Sequence, residues 1–278
     1  MTVLTPEVYL GLAALGIAVG CYGTLIGAGG GFVLMPVLLL LYPKQSADLL
    51  TSISLAVVFF NALSGSEAYA MLKRIDYKSG LMFAAATIPG AVLGALNTSF
   101  VPRRLFDVIF AILLLAAAGF LAWRPGGVKG GPKSKDAPHH GMARRLVDSH
   151  GITYEYNVNW SLGMAISVVV GYVSSFLGIG GGIIHVPALS YLLNFPVHIA
   201  TATSHFILAI MALTGTVVHI LTGTFAHGVH RTLAIAIGVV IGAQIGARLS
   251  EKMKGTWIIR SLALALGVVG LRILSLSW

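Results

Sequence analysis

Apolar residues along this chain fall into blocks of about bilayer length, separated by short polar breaks. The blocks cover residues 8–26, 49–72, 79–97 and 105–123, then, beyond a polar stretch at 124–159, residues 160–177, 200–221, 229–249 and 257–275. Each is near the ~20 residues that a helix needs to cross a bilayer. The pattern predicts an all-α polytopic membrane protein with about eight full transmembrane helices. The first block lacks a basic leader and is long enough to span, so it reads as a retained helix rather than a cleaved signal. Two further apolar blocks, 32–42 and 183–195, are too short to cross unaided at 1.5 Å per residue and are expected to be half-helices.

Each short block directly follows a glycine cluster. The pattern G-x-G-G-G-x-x-x-x-P-x-L runs from Gly27 to Leu38 and again from Gly178 to Leu189. The halves match further. Thr51-Ser52 follows the first cluster and Thr203-Ser204 the second at nearly the same distance; Ser64-Gly65-Ser66 corresponds to Thr214-Gly215-Thr216, and "GAVLGA" at 90–95 to "GAQIGA" at 242–247. Four ordered matches argue for two homologous repeats, residues 1–123 and 160–278, joined by a polar linker at 124–159. The linker is rich in Gly, Pro, Lys and His and reads as a flexible connector. Its His139-His140 pair reads as solvated. The small residues of the GAxxGA elements, a turn apart, are expected to let helix backbones approach closely.

Composition agrees with this reading. The chain has 278 residues, 56% hydrophobic and 10% charged, with a mean hydropathy of +0.88, whereas soluble domains carry about 25% charged residues. The net charge of +9 fits basic cytoplasmic loops rather than nucleic-acid binding. If the short blocks count as crossings, the 18 basic residues divide thirteen to five, with Lys44, Arg103, Arg104, Arg231 and Arg272 in the minority; if they only dip in and return, eleven to seven. The positive-inside rule favours the first scheme: ten segments, inverted repeats, a cytoplasmic linker and both termini outside an inner (cell) membrane. The single Cys21 excludes an internal disulfide framework and reads as a packing residue.

Consecutive glycines break helices and free backbone amides, which at membrane depth must face protein or a water-filled cavity. A break followed by a half-helix aims N–H groups and a positive dipole end at one place, and two such breaks at corresponding positions are the best sequence pointer to a transporter's substrate site. The chemistry suggests an anion. The expected binding groups are the backbone of Gly27, Gly29, Gly30 and Gly31 and of Gly178, Gly180, Gly181 and Gly182, with the side chains of Thr51, Ser52, Thr203, Ser204 and His205. Pro36 and Pro187 would set the angles of the half-helices or shape a kinked span. Glu67, an intramembrane carboxylate with no equivalent in the second half, is a proton-coupling candidate and equally an interfacial residue. Asn61 and Gln244 either line a path or bond between helices. Six histidines, His185, His198, His205, His219, His227 and His230, lie in the second half. They keep open an alternative transition-metal or other cation transporter. No P-loop, GxGxxG spacing or H-E-x-x-H is present, so neither ATP hydrolysis nor other enzymatic activity is expected, and no cofactor or resident metal.

The doubled glycine motif, each copy followed about twenty residues later by Thr-Ser, resembles the sulfite exporter TauE/SafE family of membrane permeases, and the resemblance covers nearly the whole chain. The long central linker and Asp48-Leu49-Leu50 before Thr51 depart from the family pattern. The resemblance implies export of a small sulfur-containing anion, such as sulfite or an organosulfonate, by secondary transport. The partners expected are that anion and the lipid bilayer, with no nucleic acid; a homo-oligomer is compatible with the sequence.

Overall fold

The structure, a computed structural model, describes residues 5–123, 142–252 and 255–276. Five helices precede the linker: α1 (Pro6–Ile26), α2 (Gly31–Leu41), α3 (Ala47–Met71), α4 (Tyr77–Asn97) and α5 (Arg103–Trp123). A hairpin of β1 (Met142–Val147) and β2 (Thr153–Val158) comes next. Five more helices follow: α6 (Trp160–Leu177), α7 (Gly182–Pro187), α8 (Val197–Leu221), α9 (Val229–Lys252) and α10 (Gly255–Leu276). Among the described residues seven helices are long and apolar enough to cross a membrane, and α10 has 22 residues. The chain is therefore an all-α multi-pass membrane protein.

Small residues set the helix pairs. Gly16 and Gly20 of α1 lie against Ile235 and Val239 of α9, and Gly246 against Cys21, so α1 and α9 run parallel with their backbones touching. Gly90 and Gly94 of α4 meet Val168 and Tyr172 of α6 in the same way, also parallel. Both GAxxGA elements thus serve packing, where close approach replaces the hydrophobic drive that lipid removes. Between these pairs α3 and α8, 25 residues each, cross antiparallel: Gly65 sits beside His205, and Gly215 beside Leu55. Gln244 donates to the Ser64 carbonyl at 2.9 Å and hydroxyl at 3.0 Å, tying α9 to α3.

The short helices travel half the thickness. Gly31, the first residue of α2, touches Val58 midway along α3, and α2 ends at Leu41 beside the start of α3. From Gly182, α7 runs the other way and passes at Pro187 into a π turn, Ala188–Leu192. Pro187 lacks an N–H, which suits the change of winding, while Pro36 lies buried inside α2.

The linker departs from the flexible connector expected. His139-His140 falls outside the described residues, but residues 142–158 form an antiparallel hairpin docked on one end of the bundle. Tyr156 and Val158 are buried with Phe83, Phe195 and Ile199. The Ser149 amide donates to the Leu72 carbonyl at 3.0 Å. Two ion pairs fasten it: Arg74 with Asp148, side chains 5% and 0% exposed, and Arg144 with Asp76, 23% and 0% exposed. Asp76 also accepts from the Ser79 amide and hydroxyl and from the Tyr156 hydroxyl. Burial alone pushes the Asp76 carboxyl up, but Arg144, Ser79 and Tyr156 together hold it below the usual carboxylate range. For Asp148, burial is likewise outweighed by the amides of Ile152 and His150 and by Arg74.

Depressed carboxylates contribute stability that is present above their unfolded value, about 3.9, and lost as pH falls through the folded value. The protection factors of the β2 amides are therefore expected to hold from pH 8 to pH 5 and to fall only in stronger acid. Arg144→Ala leaves Asp76 buried without its cation and is expected to cost about 2 kcal/mol, discounted for the partial exposure of Arg144. In that variant β2 opens at a higher pH.

Candidate functional site

The two glycine clusters form loops with the same backbone. Gly27, Gly29 and Gly30 have φ of 80°, 72° and 75°, and Gly178, Gly180 and Gly181 have 67°, 80° and 69°. Those are left-handed conformations that side chains rarely adopt. The loops are buried and lie on one another. A methyl on Gly31 would come 2.7 Å from the carbonyl carbon and oxygen of Ile179, and one on Gly182 would overlap Gly27 O and Ala28 Cα. At this crossing, near Val58 and Leu208, backbone meets backbone at the middle of the α3–α8 pair.

Hydrogen bonding at the loops is partly committed. The amides of Gly27, Ala28 and Gly29 donate to Thr24 O and Gly23 O, and that of Gly182 to Gly180 O. The first three are the helix-ending bonds of a left-handed cap; the last spans two residues within the second loop. Four of the amides expected to face a ligand, Gly27, Gly29, Gly178 and Gly182, are therefore occupied within the chain. The carbonyls are held by hydroxyls of the crossing helices: Ser204 Oγ donates to Gly27 O at 3.2 Å, and Ser54 Oγ to Gly178 O at 2.5 Å.

Those two bonds correct the register of the hydroxyl pairs. Thr51 lies against Gly178, whereas Thr201 lies against Gly27, and Ser54 and Ser204 hold the matching carbonyls. The equivalences are therefore Thr51 with Thr201 and Ser54 with Ser204, 150 residues apart, as the equal lengths of α3 and α8 require. Ser52 Oγ donates to Leu49 O in its own helix, and Thr203 Oγ1 accepts the Asp76 amide at 3.0 Å, so neither reaches a loop. The Thr-Ser dipeptides match only by identity; the constant offset of 150 that Gly65 and Gly215 give pairs Thr51 with Thr201 and Ser54 with Ser204.

Beside the first loop lies a polar cluster. Thr24 Oγ1 donates to Asn61 Oδ1 at 3.0 Å, His205 Nε2 lies 3.1 Å from Thr24 Oγ1, and the Tyr69 hydroxyl donates to Thr24 O at 2.7 Å. Asn61 Nδ2 and His205 Nδ1 are buried with no hydrogen-bond partner. Near the second loop Thr51, Ser174 and Ser175 likewise keep buried, unpartnered hydroxyls. Buried polar atoms are ordinarily paired; these unpaired donors lie on both flanks of the crossing, and others lie elsewhere in the bundle, at Ser190, His219 and Thr232 among them.

The two ends of the bundle differ. The hairpin covers one. At the other, a cavity of about 880 Å³ opens to solvent above the start of α3, with Gln45, Ser46, Thr222, His227, His230 and Arg231 in its wall and no carboxylate among its lining residues. Arg231 lies over the Tyr42 ring, 4.1 Å from its centroid, and its Nη1 has no hydrogen-bond partner. The other histidines are spread out: His185 Nε2 pairs with Ser167 at 3.2 Å, and His219 with Asp48 at 3.3 Å. Glu67 is exposed on the outer face of α3, away from the crossing.

A family model described as "Sulfite exporter TauE/SafE" matches residues 12–273. The chain is 34% identical to the "Probable membrane transporter protein YunE" of Bacillus subtilis (strain 168), over 95% of this chain and 96% of that one. It is 24% identical to the "Probable membrane transporter protein MJ0441" of Methanocaldococcus jannaschii, over 94% of this chain and 93% of the other. No solved structure matches the chain significantly.

Gly182→Ala drives a methyl into backbone that cannot yield, and is expected to lower stability by about 3 kcal/mol. Gly119→Ala, which meets nothing within 4 Å on a helix surface, is expected to be neutral or to gain up to about 1 kcal/mol. Thermal melts of the two variants in detergent check both.

Proposed function

This chain belongs to the sulfite exporter TauE/SafE family and is a multi-pass membrane transporter, and from that premise we propose that its cargo is a small sulfur-containing anion, such as sulfite or an organosulfonate. The observation that carries the reading is the crossing of the two glycine loops, flanked by buried donors that lack partners: Asn61 Nδ2 and the hydroxyls of Thr51, Ser174 and Ser175. Neutral amide and hydroxyl donors on both flanks of a dry crossing suit an oxyanion, whose lone pairs they satisfy. A cation path would call for interior carboxylates, and Glu67 lies on the outer face.

The halves act as inverted repeats that rock about the crossing, exposing it to each side in turn. In the conformation described, the hairpin closes the end that carries Lys73, Arg74, Lys78, Arg144 and Arg145, and the positive-inside rule favours that end as cytoplasmic. The cavity at the opposite end, with Arg231, His227 and His230 in its wall, is the outer mouth. Basic lining there raises the local anion concentration and speeds association.

Thermal stabilisation of the purified protein against sulfite, thiosulfate, small sulfonates, carboxylates, Zn²⁺, Ni²⁺ and Co²⁺ tests the cargo class. A specific ligand at a hundredfold excess over its Kd stabilises by about 2.7 kcal/mol. The expected result is a shift with a sulfur oxyanion or sulfonate that Asn61→Leu abolishes; a shift with metals alone overturns the reading in favour of the histidines. Arg231→Gln is expected to raise the transport KM roughly 3- to 10-fold at low salt with kcat little changed, an effect that fades as ionic strength rises.

A further inference from the structure

We infer that His205 is the proton-binding group of this transporter, and that a proton and the anion are bound together at the Thr24–Asn61–His205 cluster and released together. The inference rests on the reading that the cargo is an anion.

The hydrogens of the cluster can be assigned one by one. Thr24 has a single hydroxyl hydrogen and gives it to Asn61 Oδ1. With the Asn61 amide oxygen turned to Thr24, that hydroxyl oxygen accepts from His205 Nε2, 3.1 Å away, and the ring hydrogen sits on Nε2. Tyr69 spends its own hydrogen on the Thr24 carbonyl. What remains is one lone pair, on His205 Nδ1, and one unengaged donor group, Asn61 Nδ2, joined through Thr24 and both buried without a partner. A free acceptor and a free donor at one buried place can hold a proton and an oxyanion together.

The charge balance requires both. No Lys or Arg takes part in the hydrogen bonds of the cluster. An anion entering such a place alone would sit uncompensated in a low dielectric, at a cost of several kcal/mol. A proton added to Nδ1 makes an imidazolium that cancels this charge at hydrogen-bond distance and turns Nδ1 from acceptor to donor. No bond of the anion is made or broken; the proton comes from water on one side and returns to water on the other. The titratable side chain facing the ring is Tyr69 of α3, edge-on with centroids 5.7 Å apart; α1 brings the uncharged Thr24 and, at its cap, the Gly27 carbonyl, while Arg74, whose charge acts on Tyr69 through space, is paired with Asp148.

The second half supplies no duplicate. Leu55 stands against Gly215 and Ser175 as His205 stands against Gly65 and Thr24. One proton per cycle follows, so movement of a monovalent anion carries no net charge. His185, equally buried with an unpartnered Nδ1, is a matched control: its Ser167 partner already donates to Gly163 O at 2.7 Å.

The test uses the full-length protein in liposomes loaded with a pH-sensitive dye, with isethionate as cargo, since a sulfonate does not titrate between pH 5 and 8 and any proton flux belongs to the transporter. The expected result is one proton per isethionate and a rate unaffected by a potassium–valinomycin potential. His205→Gln is expected to lose the proton flux and to slow isethionate movement at least tenfold or make it follow the potential, while His185→Gln keeps the ratio. Wild-type isethionate flux without protons, or driven by the potential, overturns the inference and leaves the anion reading standing. Absence of wild-type flux for isethionate and for sulfite alike overturns both. The wild-type stoichiometry decides even if His205→Gln fails to fold.

Discussion

A methyl group finds no room where Gly31 meets Ile179, or where Gly182 meets Gly27 and Ala28, and the rest of the bundle is arranged around that lack of room. Two irregular backbones in contact away from water must have their polar groups satisfied by protein. The helix-ending bonds to Thr24 O and Gly23 O take up the amides of Gly27, Ala28 and Gly29, and Ser204 and Ser54 reach in from either side for the carbonyls of Gly27 and Gly178. Those hydroxyls can arrive only from helices that flank the contact, which fixes α3 and α8 across it. The outer parallel pairs, α1 with α9 and α4 with α6, then close on small residues because any bulk there would pull the loops apart.

Much of this was legible in the sequence because lipid makes strong demands. The boundaries 160–177 and 105–123 agree with α6 and α5 to within two residues, since length and apolarity are what a bilayer selects. The half-helices were visible because consecutive glycines cannot continue a helix. The pairing of hydroxyls was not, because a Thr-Ser dipeptide carries no depth, and one register step moves a side chain about 100° round a helix. Thr203 thereby faces Asp76 rather than the loop. The hairpin was hidden for a different reason. Its stability comes from partners distant in sequence, Arg74 and Asp76, while its own Leu146, Tyr154, Tyr156 and Val158 are interspersed with charged and polar residues and make no block of membrane length. His205 already stood among the expected binding groups, whereas Asn61 kept two readings, since a single polar residue in a span looks the same whether it bridges helices or faces a cavity.

The matched backbone of the two loops contrasts with the difference in the groups around them. One end is shut by buried carboxylates and guanidinium groups, the other stands open and lined with basic residues. At the centre the imidazole of His205 occupies the place that Leu55 fills on the far side. Similar scaffolding therefore supports dissimilar chemistry on its two faces, and the Thr203 bond to the Asp76 amide connects the closed end to the helix that bears the imidazole.

The antiparallel crossing of α3 and α8 has a further consequence, in the arithmetic of levers. Val58 and Leu208, at the contact, lie close to the midpoints of two helices of 25 residues. Each arm is then about 18 Å long. Turning one helix against the other by roughly 10° hardly displaces atoms at the pivot, yet moves the tips by about 3 Å in opposite senses. That is close to the width of a water molecule. A centre packed too tightly to deform and ends free to part by one water are thus two aspects of the same joint.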